Sequence, residues 1–598
     1  MRTSNWGWLL AGSLVLGSSL VVSSASACGG FFCSQSQGVN QAAERIVFAN
    51  NGDGTVTAVI EIQYQGPSDQ FSWLLPISSV PMGDQIGVAS GLSFQRLQQA
   101  TNPQYSLQTR VEGQCDTNIG LSPGSGGTAS SAGGGSAAGG DSAEGGVTVE
   151  ASGVVGSFEW AVISLDESLE APADAAVQWL NENEYDVPPG APGLLGPYLA
   201  DGMYLLALRL VKGADAGSIR PIVLTYEATK PMIPIKLTAV AANEDMGVLT
   251  WVLGASQAVP VNYNALELNE ARINWFSPNA GYNDVVIAAA NEAGGQGFVT
   301  EYAQASQSLA GVTWSTFEQE DWEGFKAAAG RVSAQDLVLN AMFRYSQWDG
   351  FWDVVRKHVK LPATVTLEDV QECPDCYVDE YVVEPSFMVA LEADVIEPAQ
   401  VVQKLLDAQA HVTRLYSTLS AAEMTVDPLF SFNPSLPSVS NLHVAQRIIE
   451  CAPGYYQQEA PWRIELPQGG VVRGGPQDVG QWPASFDALP ANRRILRQGE
   501  TGAGKVLEDH GATIDTAITA YSSSVTDPPR RPAAGDNGAD DAGAGASAGS
   551  GEKPGRTDSS GLAAGGGGGC SVGGASPTSG LLLALIGLSA LVRRKRRG

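Results

Sequence analysis

The chain has 598 residues, 44% of them hydrophobic, with 13 Trp and a formal net charge of −29. At roughly 150 residues per domain that length allows two to four domains and a sizeable buried core. So strong a negative field repels phosphate backbones. It excludes nucleic acid as a partner and suits a soluble surface protein that gathers divalent cations weakly.

Residues 1–27 are predicted to be a secretory signal. Arg2 precedes the apolar stretch Leu9 to Val22, which is short for a membrane span, and Ala25-Ser26-Ala27 offers the small residues a signal peptidase needs. Cleavage after Ala27 leaves Cys28 first in the mature chain. Acylation of Cys28 is the alternative, but Ala25 stands where lipoprotein signals carry Leu, and Cys33 is close enough to be a disulfide partner.

Residues 28–123 are expected to be β-rich. Arg45 to Ala49 and Thr55 to Tyr64 flank the turn Asn50-Asn51-Gly52-Asp53-Gly54, and Phe71 to Ile77 reads as a third strand. Residues 124–148 form a Gly/Ser/Ala insertion of low complexity, without the means to build a core. The body resumes over 149–521. Gly153 to Leu165 reads as extended, and Ala173 to Tyr185 as a helix stopped by Pro188 and Pro189. Strands are expected at Met203 to Val211, Ile219 to Tyr226, Ile233 to Val240 and Gly247 to Leu253. The second half reads as more helical. Its clearest helix starts near Pro398 and runs through Val401, Val402, Leu405, Leu406, Val412, Leu415, Tyr416 and Leu419, spaced on one face at the 3.6-residue period. The predicted fold class is α+β, mainly antiparallel sheet first and helices later, stapled by disulfides.

Residues 522–570 turn to Gly, Asp, Pro and Ser and are predicted to be a disordered stalk with a reach of roughly 35 Å. Residues 571–598 close the chain. Leu581 to Val592 is apolar and is followed at once by Arg593, Arg594, Lys595, Arg596 and Arg597. A dozen helical residues reach about 18 Å, short of the ~30 Å of a bilayer core. Ala575 to Gly580 and snorkelling side chains bring the segment close to spanning, with the basic run held in the cytoplasm. The order of parts, from the Gly-rich lead ending in Cys570 to the short apolar helix and the terminal Arg run, resembles the myxobacterial C-terminal sorting signal. That resemblance implies processing near Cys570 and attachment at the cell surface, with a signal peptidase, a sorting protease and the membrane as partners. A plain tail anchor is the alternative. Loss of Arg2 with the leader and of five basic residues with the tail takes the net charge from −29 to −35, so the acidity belongs to the exported body.

A second resemblance covers the body. Cys28-Gly29-Gly30-Phe31-Phe32-Cys33, Phe71-Ser72-Trp73-Leu74-Leu75-Pro76, and Thr413 to Thr418 followed by Glu423 to Pro428 resemble the exported bacterial domain of unknown function 2330. It implies an exported location and supplies no catalytic residue. With Cys570 set aside, six cysteines remain, an even number that argues for three disulfides in an oxidising compartment. Six cysteines allow fifteen connectivities; Cys28–Cys33 and Cys373–Cys376 are the expected local pairs, which would leave Cys115–Cys451 as a long-range staple.

The candidate motifs carry little chemistry. Gly499 to Lys505 nearly matches a phosphate-binding loop, but Val506 replaces the hydroxyl that Mg²⁺ needs, and no apolar strand leads in. Gly545-Ala546-Ser547-Ala548-Gly549 lies in the stalk, without the strand and helix that make a nucleophile elbow. Cys373-Pro374-Asp375-Cys376 reads as a structural disulfide before a zinc or redox pair, because no helix start follows it. The four histidines, His358, His411, His443 and His510, show no metal-binding spacing, and His411 is expected on the long helix. Trp314, Trp322, Trp348 and Trp352 lie near Glu318, Glu320, Asp321, Asp349 and Asp353, as in a sugar-binding face; packing of the rings in a core is the simpler expectation. No cofactor is expected. The function read from the sequence is a non-enzymatic binding or scaffolding protein of the cell surface, with envelope polysaccharide as a candidate ligand. A hydrolase of glycan or peptide, working with carboxylates of the Trp-rich stretch, is the alternative.

Overall fold

The computed structural model describes residues 31–32, 40–65, 72–116 and 147–531, with gaps at 167, 186, 188–189, 212–218, 241 and 279–280. The signal, the insertion up to residue 146, the stalk beyond Arg531, the tail, Cys28, Cys33, Cys570 and Arg593 to Arg597 lie outside these residues, while Val147 and Thr148 open a strand and Ser522 to Ser524, expected in the stalk, close a helix.

Two sheets form the core of the body. The larger has ten strands in the order Lys505–Asp509, Asn492–Arg497, Asn264–Leu268, Gly297–Ala305, His411–Leu419, Ala242–Gly254, Asn40–Asn50, Thr55–Gln65, Ile222–Glu227 and Ile86–Val88. It is mixed, not purely antiparallel: Ala242–Gly254 runs parallel to Asn40–Asn50, and Asn264–Leu268 parallel to Gly297–Ala305. The smaller has five strands in the order Phe31–Phe32, Ser72–Ile77, Tyr204–Leu210, Phe158–Leu165 and Val147–Val155. Alternation along a strand sends neighbouring side chains to opposite faces. Ile46 and Phe48 therefore enter the core shared with Trp73, Leu75, Trp160 and Leu208 of the smaller sheet. Val47 and Ala49 instead meet Phe94 and Leu97 of the helix Gly91–Thr101, and Val402 and Leu406 of the helix Glu397–Ala408. The outer face of the smaller sheet is covered by the helices Pro172–Glu182 and Ala191–Ala200.

A four-stranded sheet, Val471–Gly474, Trp462–Glu465, Leu442–Cys451 and Gln104–Gly113, packs with the helices Tyr282–Glu292 and Gly511–Ser524 against one end of the large sheet. Its strands Gln104–Gly113 and Leu442–Cys451 run parallel with one unbroken register. At the far end of that pair Cys115 is bonded to Cys451. Gly113 has φ +81°, and a Cβ there would lie 2.1 Å from the Cys451 carbonyl oxygen, so only glycine permits the approach. Cys373 and Cys376 are bonded to each other, and Cys373 caps the C-terminus, not the N-terminus, of the helix Leu367–Glu372.

Two expectations are corrected. The helix from Pro398 stops at Ala408, and His411–Leu419 is a central strand bonded on both sides. Val412, Leu415 and Leu419 fit a helical period, but the strand is buried on both faces, so its sequence carries no alternation to reveal it. Ile233 to Val240 is no strand. Pro231 and Pro234 remove two backbone donors, and the chain folds instead as the short helix Ile235–Thr238.

The Cys115–Cys451 bond closes a loop over a sequence separation of 336 residues. Cys451→Ser is expected to lower stability by about 3–5 kcal/mol. Denaturant unfolding without reductant measures it, and reduction of the parent should produce most of the same loss.

Candidate functional site

The site begins with a charge in the middle of the large sheet. Arg414 of His411–Leu419 and Glu301 of Gly297–Ala305 have side chains only 5% and 1% exposed, and Arg414 Nε donates to Glu301 Oε2 at 2.5 Å. Glu301 stands where the pairing register slips between Thr300 and Tyr302, an extra residue that turns its side chain toward Arg414. Tyr282, first residue of its helix, donates from its hydroxyl to Glu301 Oε1 at 2.5 Å. Arg414 Nη1 donates to the Gln98 carbonyl and to Thr101 Oγ1, both at 3.1 Å, which ties the helix Gly91–Thr101 to the pair. Burial and the Glu301 charge raise the Tyr282 phenol well above its ordinary range, so it remains a donor.

A second group faces this pair. Tyr105 and His443 are register partners in the four-stranded sheet, and their rings stack 4.5 Å apart at 17°. Glu270, in the turn Glu270–Arg272 capped by Asn269, lies 2.6 Å from His443 Nδ1 with its side chain 4% exposed. Glu270 Oε2 is buried and has no hydrogen-bond partner. The Tyr105 phenol is raised by burial and by the charges of Glu270 and Glu301.

These residues separate two adjoining cavities. One, of 870 Å³, is lined by Arg45, Gln98, Asn102, Asp245, Arg414 and Tyr416; the other, of 460 Å³, by Gln257, Leu266, Glu267, Glu270, His443 and Arg494. Tyr105, Tyr282 and Glu301 line both. Among the described lining residues there is no Ser or Cys to serve as a nucleophile. The arrangement offers held donors, held acceptors and aromatic faces, which is the chemistry of orienting a polar ligand.

The residues singled out from the sequence lie elsewhere. Trp314, Trp322 and Trp348 are 6%, 1% and 2% exposed, and Trp352 is half-buried against the same helical core. Three of the four rings are thus packed inside that core. Trp314 meets Trp348 at 5.2 Å and Trp322 meets Tyr345 at 5.7 Å, while Arg96 covers the Trp348 ring at 4.7 Å. Of the nearby acids, Glu320 is exposed and the other four are engaged. Glu318 closes the capping box on Ser315 and pairs with Arg96, Asp321 pairs with Arg344, Asp353 pairs with Arg356, and Asp349 accepts from Ser90. The cysteines Cys373 and Cys376, with Asp375, are the one group of metal-ligand type among the described residues, and their disulfide leaves no thiolate for a metal. Gly499 to Lys505 joins two antiparallel strands as a hairpin loop, its Gly499 and Gly502 carbonyls held by Asn433.

Sequence reasoning missed Tyr105, Glu270, Tyr282, Glu301 and Arg414, and it met His443 only as one of four scattered histidines. One signal was present: an Arg inside the otherwise apolar and hydroxylic run Val412 to Leu419.

An α+β sandwich with a polar cleft at one end is the class the geometry defines. Residues 22–314 match the family model described as an uncharacterized protein conserved in bacteria (DUF2330), which supports placing this part of the chain in that family. The matched stretch holds Tyr105, Glu270, Tyr282 and Glu301, while Arg414 and His443 lie beyond it. No curated protein and no solved structure matches the chain.

Two outcomes follow from the buried charges. Glu301→Gln leaves Arg414 without its carboxylate and is expected to destabilise the fold by about 3–5 kcal/mol, read by denaturant unfolding. Glu61, paired with Arg45 beside the cleft, is pushed up by burial to about 7 despite that guanidinium, with Asp349 adding to the rise. A carboxyl whose pKa rises on folding takes up a proton as the chain folds. Its contribution is complete below the ordinary value of 4.5 and is lost as pH climbs through about 7. The stability of the parent relative to Glu61→Gln should therefore fall by up to about 3 kcal/mol between pH 4.5 and 8. A difference that grows with pH would mean that Arg45 outweighs burial.

Proposed function

We propose that this chain is an exported protein, anchored at the cell surface by its C-terminal tail, whose body binds a small polar ligand in the cleft between the ten-stranded and four-stranded sheets. One observation carries the binding reading. Two adjoining cavities of 870 and 460 Å³ share a wall of Tyr105, Tyr282 and Glu301, set rigidly by the buried ion pair with Arg414. A site whose polar groups are fixed before the ligand arrives loses little ordering entropy on binding.

Support for export comes from the leader before Cys28, from the apolar segment and Arg run after Cys570, and from a disulfide between distant cysteines. Among the described residues no helix is long and apolar enough to cross a membrane. The acidity of the body is that of a protein kept soluble and apart from polyanions.

The test has two arms. Cell fractionation should place the intact chain with the envelope, and deletion of 571–598 should release it to the medium; retention in the cytoplasm of either form ends the export reading. A thermal-shift panel of envelope sugars, amino acids and amines should find a ligand that stabilises the parent and not Leu436→Trp, which places an indole against the smaller cavity. A panel whose hits stabilise both proteins equally would remove the cleft as the site.

A further inference from the structure

A third cavity, of 340 Å³, lies between the ten-stranded and five-stranded sheets and shares no lining residue with the polar cleft. The larger sheet contributes Ile46, Ala58, Ile60 and Leu224, the smaller Leu75 and Ile77, and all six are buried. Every second residue of these strands faces inward. Ala58 is the register partner of Phe48 on one side and of Leu224 on the other, and its methyl leaves open what a longer side chain would fill. Folded cores keep few spaces larger than a water molecule, because atoms that line a space forfeit dispersion contacts. This one falls within the ~300–1,000 Å³ range of ligand sites.

The wall decides what kind of ligand. Lys230 is the single charged group among the described lining residues, and Glu500 holds its Nζ at 2.6 Å. Ser78 and Thr229 are exposed, and Ser78 already donates to the Glu227 carbonyl. Polar groups therefore stand at the entrance and apolar ones inside. Burial raises the Tyr226 phenol on the same wall above its ordinary range, as expected where water is scarce. A sugar or an amino acid would give up its hydrogen bonds to water here and find few in exchange. A hydrocarbon has none to lose. Met203 and Met232, half-buried at the entrance, are unbranched and adapt to what enters. The volume is about eleven times the ~30 Å³ share of one water molecule, and a methylene has similar bulk, so about ten carbons fit.

We infer that this cavity holds the aliphatic chain of an amphiphile, its methylenes packed between the two sheets and its polar head left in water beside Ser78 and Thr229. Enclosure between sheets suits a single chain and not a folded partner. The site is separate from the polar cleft and stands or falls without it.

Hexanol, octanol, decanol and decanoate are the probes, titrated calorimetrically into the full mature chain. Affinity for the alcohols is expected to rise roughly fourfold with each added methylene. Decanoate should bind about as well as decanol, because Lys230 already has Glu500. Ala58→Leu should weaken decanol binding by roughly tenfold or more, the worth of two methylenes, while the thermal midpoint holds or rises. Should that variant misfold, Met203→Trp at the entrance should produce the same loss. Diheptanoylphosphatidylcholine separates two sources of the chain: displacement of decanol identifies a membrane lipid, and no displacement a free amphiphile. Binding that does not depend on chain length, or that both variants leave untouched, overturns the inference, as does failure of every probe to bind. None of these results bears on the polar cleft, whose ligands are sorted by Leu436→Trp.

Discussion

A guanidinium in the middle of a ten-stranded sheet must be neutralised where it stands. Removing an ion from water costs several kcal/mol even after relaxation, and only close pairing offsets this. Arg414 meets that demand through Glu301, and much of the surrounding structure follows from the way Glu301 is delivered. A regular strand would alternate its side chains past the arginine; the extra residue at the Thr300–Tyr302 slip turns the carboxylate onto it. The carboxylate then draws the Tyr282 hydroxyl, which sets the start of the helix Tyr282–Glu292, while the remaining arginine donors fix the end of the helix Gly91–Thr101. Trp251, beneath the guanidinium at 5.5 Å, donates to the same Thr101 oxygen. The floor of the larger cavity is this network, and it is rigid because every member has a geometric obligation to another.

The opposite wall is set by covalent chemistry. Tyr105 faces His443 because Gln104–Gly113 and Leu442–Cys451 pair in one register along their whole length, and a slip of one residue would put the two rings on opposite faces of the sheet. The Cys115–Cys451 bond and the close approach of Gly113 to the Cys451 carbonyl lock that register at its far end. Two segments over three hundred residues apart in sequence thus present one stacked aromatic pair to the cleft. Such a staple needs an oxidising compartment to form, which is why it supports the proposed export.

How much of this was legible in the sequence depended on whether the cause was local. The hairpin around Asn50 to Gly54 could be read because the turn chemistry lies in the loop itself, and the helix Pro172–Glu182 because amphipathic spacing and the following prolines agree. Cysteine arithmetic pointed to Cys115–Cys451 by elimination. The strand His411–Leu419 was hidden because burial on both faces erases alternation, leaving apolar positions that fit a helix equally well. The site was hidden for a different reason. Its six polar side chains come from six separate elements, and the bulge that aims Glu301 has no signature in a single chain. Clustered Trp and acidic residues looked more suggestive than these, yet they serve the packing and capping of a helical core.

The charge of the molecule and the charge of the cleft act over different ranges. A net charge of −29 spreads a field that salt screens within about 8 Å, so it governs which macromolecules may approach more than what is held. Inside the cleft Arg414 is matched with Glu301 and Arg494 with Glu267, while Arg45 meets a Glu61 carboxyl that burial pushes up to about 7. Matched pairs are nearly silent at a distance and serve as fixed dipoles close by. Glu270 stands apart from these pairs, with one oxygen against the His443 ring and the other buried without a hydrogen-bond partner. Buried pairs at such short range are screened little by salt, so the geometry of the cleft should depend far less on ionic strength than the approach of other macromolecules does.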